Sequence, residues 1–77
     1  METKMADVVL HIDEETTAEE REGLRDVFLQ TNGVMAADYR NDKPHLMIIE
    51  YDPDTIDSSA LLKIAENKGL HAELIGM

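Results

Sequence analysis

Cysteine is absent from this chain. That excludes disulfides, thiolate metal sites and thiol nucleophiles, together with any mechanism that depends on them. Basic residues are scarce: seven Lys and Arg stand against seventeen Asp and Glu, for a net charge of −10. Such a balance repels nucleic acid and anionic membrane and favours basic partners or cations. No apolar run approaches the ~20 residues that a bilayer span needs, so membrane insertion is not expected. Met1-Glu2-Thr3-Lys4-Met5 lacks the charged-then-apolar pattern of a signal peptide, and a cytoplasmic location is expected. Internal repeats and low-complexity stretches are also missing. The 77 residues therefore read as one domain, ordered over about 6–76, with a small core.

A catalytic constellation is missing as well. There is no glycine-rich phosphate loop and no nucleophile elbow, and Ser58 and Ser59 fall at a helix start, where capping or first-turn roles account for them. Arg21 and Arg25 stand one helical turn apart and read as an acid-paired helix surface, not as a phosphate cradle. No enzyme activity is expected.

What is present is a regular alternation of elements. Asp7 to Ile12 is a β-branched and apolar run stopped by Asp13-Glu14-Glu15, and reads as a strand. Thr17 with Glu20 three residues on forms a capping box that opens a helix. Leu24, Val27, Phe28 and Thr31 share one face of that helix, and Asn32-Gly33 ends it. Gly23 lies inside it, where a close approach to the sheet would explain a glycine. Val34 to Arg40 is a second strand, Asn41-Asp42-Lys43-Pro44 a turn, and His45 to Tyr51 a third strand, apolar on both faces and so central in its sheet. Asp57 caps a second helix that Gly69 closes, and Leu70 to Ile75 is the last strand. Strand, helix, strand, strand, helix, strand in this length predicts an α+β ferredoxin-like βαββαβ sandwich. Its four-stranded antiparallel sheet has order 4-1-3-2, with both helices on one face.

The order and spacing of Asn32-Gly33-Val34, Tyr51-Asp52-Pro53-Asp54-Thr55-Ile56, Leu61 to Gly69 and Ala72-Glu73-Leu74-Ile75 resemble the heavy-metal-associated domain. That family includes copper chaperones, mercury-binding proteins and the cytosolic arms of metal-pumping ATPases, and the resemblance covers nearly the whole chain. It implies a role in metal transport, with a soft ion held by two cysteines between the first strand and the first helix. Counted back from Gly33-Val34, those positions fall near Thr17 and Glu20. A hydroxyl and a carboxylate do not hold monovalent copper, so the metal-transfer role is not carried over by residue.

Oxygen ligands for calcium or magnesium are a poor fit to Asp13–Glu20, because the segment lacks the alternating carboxylates and glycine turn of an EF-hand loop. Histidine offers another route to a divalent metal. The end of strand one lies beside the beginning of strand four, which would bring His11 and His71 together on the face away from the helices. His45 is placed at the opposite end of strand three, out of reach of that pair. No cofactor is expected, and a divalent ion on His11 and His71 is the alternative.

Alternation turns Val9, Leu46, Ile48 and Ile75 toward the uncovered sheet face. Apolar side chains there mark a covered surface. The reading favoured is a protein-interaction module with a degenerate metal site, docking a partner protein or a second copy through this face. A metal-trafficking protein with non-cysteine ligands is the second reading. An ACT-like small-ligand regulatory domain is the third, for which Asp13-Glu14-Glu15 is a poor substitute for the glycine-rich loop required.

Overall fold

A computed structural model describes residues 5–40 and 42–76. The elements run β1 (Ala6–Ile12), α1 (Ala18–Leu29), β2 (Val34–Arg40), β3 (Lys43–Tyr51), α2 (Ser58–Asn67) and β4 (Ala72–Gly76). They form one four-stranded sheet in the order β2-β3-β1-β4, which is the expected 4-1-3-2 order counted from the other edge. All pairings are antiparallel.

Local chemistry sets the helix ends. Thr17 Oγ1 accepts from the Glu20 amide at 3.1 Å while Glu20 Oε1 accepts from the Thr17 amide at 3.0 Å, so the capping box closes in both directions. Asp57 Oδ1 accepts from the Ala60 amide at 2.8 Å and starts α2 in the same way. After α1 the chain leaves through Gly33 at φ +97°. A Cβ there would lie 2.8 Å from Ile56 Cγ2 and 2.9 Å from Thr55 Cγ2, so this glycine answers both to a left-handed backbone and to the turn packed against it. Gly23 has no such reason. A Cβ on it would meet nothing within 4 Å, which corrects the expectation that it admits a close approach to the sheet.

Two strand starts differ from expectation by more than one residue. β3 begins at Lys43, two residues early, and takes in Pro44 near its start, beside the irregular β2–β3 pairing at Tyr39/Arg40, where a missing amide is tolerated. β4 begins at Ala72. The Asn41 of the expected turn lies outside the described residues.

The core lies between the sheet and the helices. Val8, Leu10, Met47 and Ile49 of the two central strands, Phe28 of α1 and Leu61 of α2 are all fully buried. Arg21 is buried as well, which corrects its reading as part of a helix surface. It occupies the stripe of Leu24 and Phe28, its Nη1 donates to the Thr16 carbonyl at 2.5 Å, and its guanidinium sits 5.6 Å from the centre of the Tyr39 ring. Arg25 donates from Nε to the Ala37 carbonyl at 2.8 Å and pairs with Glu22 at 3.5 Å, so it ties α1 to β2. Tyr39 donates its hydroxyl to Glu22 at 2.6 Å, and that hydrogen bond holds the phenol above its ordinary pKa.

Candidate functional site

Antiparallel pairing decides which polar side chains meet at the end of the sheet where β1 stops. His11 faces Leu46 on β3 and Glu73 on β4. Because β3 runs opposite to β1, its first residues lie beside the last residues of β1. His45 therefore stacks on His11, with ring centres 5.7 Å apart and an angle of 19° between the planes. This corrects the expectation that His45 lies at the far end. His45 Nδ1 is 2.7 Å from the Ile12 carbonyl. A carbonyl only accepts, so Nδ1 is the donor in this contact.

His71 goes elsewhere. Its backbone amide donates to Glu14 Oε1 at 2.8 Å, its ring Nδ1 lies 2.5 Å from Glu14 Oε2, and its carbonyl accepts from the Asp13 amide at 2.8 Å. These bonds clamp the loop after β1 onto the segment before β4. The hydrogen bond to Glu14, reinforced by its charge, raises the His71 pKa, and the same side-chain bond with the His71 amide lowers that of Glu14. His11 Nδ1 lies 3.2 Å from Asp13 Oδ1. Among the described residues, one group offers metal-ligand atoms within 4.8 Å of one another: His11, Asp13 and Glu73. The sequence pairs His11 with His71 and offers Asp13 only as part of the acidic Asp13–Glu20 segment weighed for calcium or magnesium, while Glu73 enters neither set. The cross-strand register of His11 with Glu73 was the feature that could have found it. Thr17 and Glu20 are occupied with each other in the capping box.

The second feature is the sheet face that the helices leave open. Ile48 is 46% and Ile75 53% exposed, and Val9 and Leu46 are half-buried beside them. Val9 and Ile48 pair directly across β1 and β3. Val9, Leu46 and Ile48 floor a shallow depression of about 260 Å³ whose polar wall is Asp38, Arg40 and Lys43. Arg40 is held by Asp42 through two hydrogen bonds, of 2.9 and 3.1 Å. At the other end of the face the register sets Asp7 opposite Glu50, two carboxylates on one side of the sheet.

No protein-family model and no curated protein matches the sequence. Solved structures do match in fold. A copper-binding domain from HMA7, a P-type ATPase, superposes with a TM-score of 0.82 at 17% identity, over 91% of this chain and 93% of that one. Oxidized MerP from Ralstonia metallidurans CH34 gives 0.82 at 14% identity, over 92% and 97%. The CopZ metallochaperone gives 0.76 at 14% identity, over 91% and 100%. The chain thus has the ferredoxin-like fold of heavy-metal-associated domains and carries none of the cysteines that a thiolate site needs. Among the described residues, no helix is long and apolar enough to cross a membrane.

Proposed function

We propose that this chain is a heavy-metal-associated domain in lineage that works without a thiolate site, as a non-enzymatic, cytoplasmic docking module for a partner protein. The observation that carries this reading is the apolar strip of Val9, Leu46, Ile48 and Ile75 on a sheet face that no element among the described residues covers. Burying such a strip releases roughly 25 cal/mol per Å² of apolar surface, which the free domain leaves unused.

Charge favours a different protein over a second copy. Two chains of net charge −10 repel each other, and the Asp7–Glu50 pair adds like charge to the face itself. The partner that fits presents apolar side chains with Lys or Arg at the rim beside Asp7 and Glu50. The solved structures that share the fold include a copper-binding domain of a P-type ATPase, and a soluble domain of an ATPase of that kind is the partner this reading favours.

The test is affinity capture from the native host with wild-type, Ile48→Asp and Glu50→Lys chains as bait, with sedimentation of each bait alone. A partner with a basic rim that is lost with Ile48→Asp and weakened by Glu50→Lys, from baits that remain monomeric, is the expected result. Equal capture by all three baits, or a wild-type chain that associates only with itself, would overturn it.

A further inference from the structure

We propose that His11, Asp13 and Glu73 form a binding site for a borderline divalent transition-metal ion, with zinc as the reference, built from one imidazole and two carboxylates. The site is separate from the Thr17 and Glu20 positions, whose polar groups are spent on the helix end.

Three observations converge on it. First, the ligand atoms already lie within 4.8 Å of one another. Ligands 2.0–2.2 Å from a tetrahedral zinc are about 3.4 Å apart, so side-chain rotation is enough to close the set. Second, the backbone beneath them is fixed. His11 and Glu73 are direct cross-strand partners, and the Asp13 amide is bonded to the His71 carbonyl while Glu14 grips the His71 amide and ring. Third, two carboxylates converge here, and among the described residues neither Asp13 nor Glu73 is paired with a Lys or Arg. A bound cation relieves that like-charge approach, and the net charge of −10 attracts one.

The donor set selects the ion. Calcium and magnesium seek six or more oxygen ligands, and monovalent copper seeks sulfur. One nitrogen with two carboxylate oxygens suits zinc, nickel or cobalt, with water completing the shell. The His45 ring, anchored at Nδ1 by the Ile12 carbonyl, stacks on that of His11 beside the site.

The experiment is titration of the metal-free full chain with zinc, read by competition with a chromophoric chelator and by NMR of the histidine rings. One equivalent is expected to bind saturably. His11→Ala and Glu73→Gln each remove a ligand and should weaken it by at least about 10-fold, the lower end of what loss of a group behind a ligand costs. Glu19→Gln, an exposed acid outside the site, should leave it unchanged. In the wild-type chain zinc should shift the His11 ring resonances and leave those of His71 in place, a readout independent of whether any variant folds. Non-saturating uptake, affinity unchanged in His11→Ala and Glu73→Gln, or shifts at His71 without shifts at His11 would overturn the proposal.

Discussion

The two faces of the sheet are made from alternate residues of the same strands, and both are apolar at the centre. On β3, Met47 and Ile49 point under the helices and are fully buried, while Ile48 between them is 46% exposed. On β1, Val8 and Leu10 are fully buried and Val9 is only half-covered. One face therefore accounts for the stability of the domain. The other sets Val9 and Ile48 among charged residues such as Asp7, Asp38 and Glu50 with no helix over them, and the proposed docking role rests on that exposed apolar strip.

Truncating neighbours on β3 separates the two faces by the largest energy difference. Ile49→Ala removes methyl groups from the closed core and should cost about 2–5 kcal/mol, a large share of the stability of a 77-residue domain. Ile48→Ala, one residue away, should change stability by no more than about 0.5 kcal/mol. Urea denaturation of both variants measures the contrast, and equal losses would mean that the open face is part of the core.

Gly33→Ala probes how tightly the covered side is closed. The left-handed backbone alone costs an alanine about 1–2 kcal/mol, and the overlap of its Cβ with Ile56 and Thr55 adds to that. Gly69→Ala, at φ +81° with open space around it, should cost only the backbone share. Denaturation midpoints of the two variants separate the terms. Thr17→Ala is smaller still. It removes one helix-end hydrogen bond, costs about 1 kcal/mol, and should lower the melting temperature by roughly 4–8 °C in a domain of this size.

The smallest effect belongs to the exposed His71–Glu14 clamp. The His71 pKa is raised above its ordinary 6.5, so its contribution is complete below 6.5 and is lost as pH rises through the folded value. The Glu14 pKa is lowered from its ordinary 4.5, so its contribution is present above 4.5 and is lost as pH falls through the folded value. Together they place the clamp's full effect between about pH 4.5 and 6.5, with decline on either side. NMR titration of His71 in chelator-treated protein should show the raised pKa falling back in Glu14→Gln. An unchanged titration would mean that the clamp does not form.

Features encoded within a few residues were legible in the sequence. The Thr17–Glu20 box, the Asp57 cap and the two-faced apolar run of β3 each follow from spacing along one segment, and the order of the sheet follows from the succession of the six elements. What was missed depends on partners distant in the chain. His45 lies beside His11 because an antiparallel neighbour reverses direction, which no local spacing shows, and the Glu14–His71 clamp joins residues 57 apart. The charge of Arg21 suggests a surface residue, but its place three residues before Leu24 and seven before Phe28 puts its aliphatic stem on the buried stripe.

The central claim is that the open sheet face is the working surface. Its most direct test is photo-crosslinking in the native host, with a photo-reactive phenylalanine analogue placed at position 48 on the open face or at position 63 on the exposed side of α2. The account predicts a covalent adduct with a basic-surfaced protein from position 48, diminished by Glu50→Lys, and none from position 63. Adducts from position 63 alone, or none from position 48, would contradict it.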